Sequence, residues 1–452
     1  MSITHIGLSG LMASQTGLNM ASRNTANLLT TGYTRQGVLL SARVGGGVEV
    51  NTLLRYADTY KSQQLWSTQA QEGRYGATES YFRQLEEVMG LGEGSVKGGV
   101  DAFFATLDEV STEPTSVPLR QQVISAADNL VKRFDSLRQT LFGQLEATRQ
   151  QAFTIVDQAN TLADTIARLN ERIGNERIGE AAATGGAPSE LLDQRDRAIG
   201  ELATLVGVRV VHHPDGMVDV SLENGPPLVA GKLAGRMQAV TAANGTFSLG
   251  MTLGGSQFGL VGERMGGSLG GLYGYANDVL VTQLDSTHAL ASELATRINA
   301  SLTAGYGTDG LPGSGLFVID AASGRISLDP AATQARLGFS SSATEPGNSD
   351  NLAAIIDVRT QTFALPGLGT VSIGDAYTMM VGKLGSDSKS SQASLETAAT
   401  LREQAHLSLL SISGVNSEEE VIRISELLQA YQANMKVISV ANELFDTTLN
   451  AL

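Results

Sequence analysis

Five histidines are the first residues to test for chemistry: His5, His212, His213, His288 and His406. None falls in an H-E-x-x-H pair or another metal-ligand spacing. The adjacent pair His212-His213 precedes Pro214-Asp215-Gly216, so it reads as a solvated pair beside a hairpin turn rather than a ligand set or a catalytic base. Zero cysteines exclude disulfides, thiolate metal sites and cysteine nucleophiles. Gly90, Gly92 and Gly94 precede Lys97, but that lysine lacks both the phosphate-loop spacing and a following Ser or Thr. The run Gly266-Gly267-Ser268-Leu269-Gly270-Gly271 lacks G-x-G-x-x-G spacing and reads as a glycine-rich entry into a helix.

The densest charge lies in Leu191-Leu192-Asp193-Gln194-Arg195-Asp196-Arg197. Asp193 and Asp196 could serve as an acid and a base. The helical spacing of Leu191, Leu192, Arg195, Ile199 and Leu202 instead predicts a short amphipathic helix with charges pairing along its surface. No convergent polar constellation is left to carry catalysis, so the expectation is no enzyme, no cofactor and no metal.

Composition narrows the class. With 42% hydrophobic residues in 452, the chain has material for a packed core and two or three domains. A formal net charge of −15 without a basic stripe disfavours nucleic acid and anionic membranes as partners. No apolar run of 18 exists, so no transmembrane helix is expected. The N-terminus shows no basic region followed by an apolar stretch, so no cleavable signal peptide is expected.

The elements that would position any surface are helical ends around a glycine- and strand-rich middle. Near the C-terminus, apolar residues alternate in steps of three and four: Val421, Ile424, Leu428, Tyr431, Met435, Ile438, then Phe445, Leu449 and Leu452, with Asn442 the one polar member. Ser417 and Glu420 have capping-box spacing at the start of this helix. A second seam runs from Val123 to Ile173 between Pro118 and Pro188, with a stutter from Leu141 to Leu145. Its roughly 50–55 residues predict a helix about 80 Å long. A third helix is predicted over about 270–302. Between them, Val208 and Val210, a Pro-Asp-Gly turn, and Val218, Val220 and Leu222 predict a hairpin, and 247–253 a further strand. Glycines and prolines leave room only for short strands, such as 316–319, in the stretch from 305 to 347.

The first 31 residues hold one formal charge, Arg23, while Leu8, Leu11, Leu18 and Leu29 keep heptad spacing, with Gln15, Ser22 and Thr25 as small or polar seam members. Gly7, Gly10 and Gly17 each weaken a helix by about 1 kcal/mol relative to alanine. Few charges mark either end, which predicts termini enclosed by other chains and ordered by those partners. The expected subunit-contact residues are Leu8, Leu11 and Leu18 at one end. At the other they are Val421, Ile424, Leu428, Tyr431, Met435, Ile438, Asn442, Phe445 and Leu449.

The stretch from Gly7-Leu8-Ser9-Gly10-Leu11 through Ala13, Gln15, Leu18, Ser22, Asn24 and Asn27 to Thr31-Gly32-Tyr33-Thr34-Arg35-Gln36 resembles the shared N-terminal motif of flagellar axial proteins. Residues 415–452 resemble their terminal helix. The long helix after Pro118, the Leu191–Asp196 motif and Ser411-Ile412-Ser413-Gly414-Val415-Asn416 narrow the resemblance to the hook-associated protein 1 family, FlgK type. Thr25, Leu28-Leu29 and Leu428 depart from that pattern. The resemblance implies an extracellular structural subunit of the bacterial flagellum, exported by the type III route, that joins hook to filament. Its implied partners are copies of itself, the hook protein, a second junction protein on the filament side and an export chaperone. The alternatives are another axial subunit of hook or rod type, and less readily an intracellular coiled-coil scaffold.

The fold expected is α+β: an elongated helical coiled-coil rod formed by the N- and C-terminal segments, with a β-rich, Gly-rich middle. The expected divisions are an axial helix over 1–32, rod over 33–205, a hairpin region over 206–268 and a rod helix over 269–304. A small outer region over 305–347, rod over 348–416 and a second axial helix over 417–452 complete them.

Overall fold

The computed structural model describes residues 3–178, 189–223, 225–320 and 324–450. The chain opens with helix α1 (Ile3–Ala26), a hairpin of β1 (Gln36–Ala42) and β2 (Val48–Arg55), and helices α2 (Thr59–Val88), α3 (Val96–Val110), α4 (Val117–Ile178) and α5 (Ser189–Leu205). It closes with α9 (Ile373–Ser413) and α10 (Ser417–Asn450). The architecture is the expected one, helix-rich at both ends around strands.

Helix α4 is the spine. It has 62 residues, about 90 Å at 1.5 Å each, against an average of about 11–12 residues for a globular helix. Pro118 sits in its first turn, where a backbone N–H has no helical acceptor to lose. The seam from Val123 to Ile173 is buried along its length, apart from a half-buried Leu162. Against it pack α2, α3, α5 and the helices that follow the strands in one large hydrophobic core, with Leu169, Ile173 and Leu191 forming a small separate cluster.

The middle of the chain hangs strands on this spine. β3 (Val208–His212), β4 (Val218–Leu222), β5 (Pro227–Ala230) and β6 (Leu233–Ala234) form a four-stranded antiparallel sheet; β7 (Arg236–Thr241), β8 (Phe247–Leu253) and β9 (Ser256–Leu260) form a second of three. The predicted hairpin is present, with His212 opposite Val218 and Gly216 at φ 87° in its turn. Two buried asparagines of α4 fasten the sheets. Asn170 donates to the carbonyls of Val218 (2.7 Å) and Gly231 (2.8 Å) and accepts from Val218 N–H (3.2 Å). Asn160 makes a two-way pair with the Met237 backbone at 2.8 and 2.9 Å. A buried amide thereby satisfies strand groups that would otherwise lack partners.

The third predicted helix is interrupted. An α-helical turn, α6 (Gly267–Gly274), passes through a π-helical segment at Tyr275–Leu280 into α7 (Val281–Ala304). Tyr275 is buried there, its hydroxyl donating to Gln144 Oε1 (2.9 Å) and near the Tyr81 carbonyl (3.2 Å). The glycine run that leads in is a packing device: a Cβ on Gly271 would lie 2.0 Å from the Arg74 carbonyl oxygen of α2. Beyond α7, β10 (Phe317–Asp320) pairs with β11 (Arg325–Leu328), α8 (Asp350–Asp357) follows, and β12 (Thr362–Leu365) pairs with β13 (Gly369–Ser372). Arg120 of α4 holds this part. Its buried guanidinium donates to the carbonyls of Gln334 (2.6 Å), Pro114 (2.6 Å) and Leu337 and lies 4.5 Å from the Phe339 ring. Burial without a touching carboxylate pulls its pKa down to about 10.

Candidate assembly surface and the joint beneath it

α1 and α10 pack side by side in opposite directions. Gly7 lies against Ile438, Gly10 against Asn434, Gly17 against Leu427, and Asn24 bonds Glu420. The facing stripe on α1 is Gly7, Gly10, Ser14, Gly17, Ala21 and Asn24, steps of three and four made of small residues. A Cβ on Gly7, Gly10 or Gly17 would sit 2.9, 2.4 or 2.8 Å from a side-chain atom of α10. These glycines weaken the isolated helix, yet they let the two backbones approach closely. On α10 the facing stripe is Glu420, Ile424, Leu427, Tyr431, Asn434, Ile438 and Ala441, all buried or half-buried.

The expected contact residues therefore divide. Ile424, Tyr431 and Ile438 face α1 within the chain. Val421 (55% exposed), Leu428 (47%), Met435 (49%), Asn442 and Leu449 (57%) lie seven residues apart on the exposed flank of α10, while Phe445 (65%) continues the Ile424–Tyr431–Ile438 line past the start of α1 and is exposed there. On α1, Leu8 is exposed, and Leu11 and Leu18 are half-buried. Leu29, placed in the α1 seam by spacing, lies beyond the helix end and is exposed; Leu452 lies outside the described residues. Ile3, Ile6, Met12, Ile422 and Leu444 extend the exposed apolar surface. Leu427, Asn434, Ala441 and the small-residue stripe are the members the leucine pattern missed. Their signal was present as a three–four spacing of glycine, serine and alanine.

Beneath this pair, three sequence motifs converge. Asn24 uses its whole amide: Oδ1 accepts from Tyr33 Oη (2.9 Å) and Gln36 N–H (3.0 Å), and Nδ2 donates to the Gln36 carbonyl (2.8 Å) and Glu420 Oε1 (3.1 Å). Arg55 at the end of β2 donates through Nε and Nη2 to Asp193 Oδ1 (3.0 and 2.7 Å), and through Nη2 to Asp196 (2.9 Å) and Thr34 (3.0 Å). Burial opposes the Arg55 charge, but Asp196 and Asp193 outweigh it and hold its pKa above the ordinary value. Thr34 N–H donates to Asp193 Oδ2 at 3.2 Å. Arg35 donates its N–H to the Ser413 carbonyl (2.8 Å) and its Nη1 to Glu419 (2.9 Å), with its guanidinium 4.3 Å from the Tyr56 ring. Residues 31–36, 191–196 and 411–416 thus form one joint between α1, the β1–β2 hairpin, α5 and the α9–α10 turn.

Two expectations change here. Asp193 and Arg195 are buried, so these two charges tie elements together, while Glu190, Arg197 and Glu201 stay on the exposed side of α5. The cap of α10 is Asn416, whose Oδ1 accepts from Glu418 N–H (2.9 Å) and Glu419 N–H (3.4 Å). Glu420 is buried and is spent on Asn24 instead of closing a capping box with Ser417. His213 pairs with Asp219 at 2.9 Å beside the hairpin turn. Among the described residues no group of three or more His, Asp or Glu side chains could hold a metal, and no helix is long and apolar enough to cross a membrane.

A helical spine with paired terminal helices and a strand-bearing middle is the build of an axial structural subunit, and residues 408–451 match the flagellar basal body rod FlgEFG protein C-terminal region. Residues 82–317, more than half of the chain, match the flagellar hook-associated protein FlgK helical domain. The chain belongs to the FlgK family. Flagellar hook-associated protein 1 of Salmonella typhimurium is 25% identical over 563 residues, covering 99% of each chain. The protein of that name from Escherichia coli K12 is 25% identical over 548 residues, again covering 99% of each, and that from Bacillus subtilis 22% over 513. The flagellar hook junction protein FlgK from Burkholderia pseudomallei shares the fold, with a TM-score of 0.64 at 18% identity over 78% of this chain and all of that one.

Proposed function

We propose that this chain is a non-enzymatic structural subunit of the bacterial flagellum that joins hook to filament. On this reading it leaves the cell by type III export, escorted by a chaperone. It assembles with copies of itself, with the hook protein on one side and a second junction protein on the other. Its assembly surface is the outer face of the α1–α10 pair.

The observation that carries the reading is the exposed apolar row Val421, Leu428, Met435 and Leu449 on a flank of a helix whose neighbouring face is already used within the chain. A contiguous apolar row of this kind, with few charges, marks a protein–protein contact. The division of the C-terminal seam gives a sharp test. Leu428→Asp with Met435→Asp changes side chains that point away from α1, so the α1–α10 pair and the core should keep their circular dichroism and melting temperature. Incorporation at the hook end and motility should be lost when this variant complements a strain lacking the protein, because each buried apolar side chain is worth about 1.5–3 kcal/mol and an unpaired charge adds several more. Normal filaments from the folded double variant would overturn the assignment of this face.

A further inference from the structure

A second surface lies just below the terminal pair, between α4 and α5. Leu162, Leu169 and Ala198 form the floor of an open groove of about 510 Å³, and Arg168, Arg172 and Arg197 stand along it. Arg168 donates to Thr165 Oγ1 on its own helix at 2.9 Å, and Arg197 makes a long 3.4 Å bond to the Asp193 carbonyl. Among the described residues none of these three arginines pairs with a carboxylate, and the groove's own acid, Glu201, takes none of them. The chain carries 46 acidic residues against 31 basic ones, and further up α4 Arg138 and Arg149 do pair within the helix, with Asp135 and Glu146. Guanidinium groups over an apolar floor suit an acidic segment that also carries aliphatic side chains, since the planar fork binds carboxylates in two-point fashion.

We infer that the groove receives the first turn of α10 from a neighbouring copy of this chain. That turn has the complementary composition. Glu418 is exposed, Glu419 is 62% exposed at its side chain, and Val421 and Ile422 are 55% and 60% exposed. Both surfaces are pinned to the same short segment. The Arg197 stem packs on Gly32, where a Cβ would lie 2.5 Å from its Cδ, while Arg35 holds Glu419 at 2.9 Å. Three residues of chain span at most about 10 Å. Groove and acidic turn therefore sit at nearly the same height on the subunit, and no ion pair joins them within the chain. Copies set side by side around an axis bring features of equal height into register, which is the geometry of a repeating head-to-tail contact. The inference rests on the proposed self-assembly and adds to it a second, charge-selective contact.

The absence of cysteine makes the test clean. Arg172→Cys and Glu418→Cys chains are co-expressed in a strain lacking the protein, and its flagella are isolated and oxidised. A disulfide-linked dimer of the two variants is expected in assembled material and not in the exported monomer. In a parallel arm, Arg168→Glu with Arg172→Glu should lower incorporation by about tenfold or more, with Glu418→Arg restoring part of it. If both cysteine variants incorporate at the wild-type level and no mixed dimer forms, the groove does not hold this turn, while the proposed function stands. If the wild-type control chain itself fails to reach the hook end, it is the proposed function that fails.

Discussion

At the scale of single residues, Asn24 shows how one amide fixes the place where the terminal pair meets the rod. Its two donors and its acceptor oxygen serve Tyr33, both backbone groups of Gln36, and the buried Glu420. Asn24→Ala strands all of these, and a stranded buried polar group costs about 1–3 kcal/mol. We expect a loss of about 3 kcal/mol in chemical denaturation, larger than for Asn27→Ala, whose amide bonds only the Arg23 carbonyl of its own helix and Thr30. Tyr33 gives this joint a pH signature. Burial, then the nearby Asp193, raises the phenol's pKa above 10.0 in the folded chain. A raised acid favours the folded state while protonated, so its contribution is full below pH 10 and fades as pH rises past that value. The difference in melting temperature between the wild type and Tyr33→Phe should therefore shrink above pH 10; a constant difference from pH 8 to 11 would show that the fold does not raise the phenol's pKa.

At the scale of elements, propensity and packing oppose one another in α1. Gly10→Leu and Gly17→Leu should each raise intrinsic helix stability by about 0.8 kcal/mol. Each also drives a side chain into Asn434 or Leu427 of α10, where overpacking costs about 1–3 kcal/mol. Packing should win. The double variant is expected to lose α1–α10 association, read as hydrogen-exchange protection of α10 relative to wild type. Increased protection would mean that the helices pack by another route and that the small stripe is not their contact. The same opposition explains the Gly266–Gly271 run, which looks loose in one dimension and in space lets α6 cross α2.

At the scale of the molecule, one 62-residue helix sets the length, and other elements lie along it. The subunit should scatter as an elongated particle. Small-angle scattering of the purified monomer is expected to give a maximum dimension of at least about 90 Å, the length of α4 alone. A radius of gyration near 2.2·N^0.38 Å, about 22 Å for this length, would mean a compact globule and overturn the shape. The relatives align over 563 and 548 residues against 452 here, so the alignments run through insertions in those chains. The strands of the middle hang on α4 through local fastenings such as Asn160, Asn170 and Arg120.

The sequence by itself determined what depends on neighbours along the chain. Apolar spacing from Val123 to Ile173 marked the spine because a helix repeats every 3.6 residues, and Pro-Asp-Gly marked the β3–β4 hairpin because its turn needs Gly216 at positive φ. The motifs at 31–36, 191–196 and 411–416 were likewise visible one by one. Only the tertiary structure decided that they meet, because Asn24 and Glu420, or Arg55 and Asp193, become partners only when distant segments are folded together. The same holds for the terminal seam. Periodicity shows that Val421 to Leu449 form apolar rows, but a helix with apolar residues on two faces does not say which face its own chain will cover. The glycine stripe of α1 decides it, by leaving room for Leu427, Asn434 and Ile438 and leaving Leu428 and Met435 open to other chains.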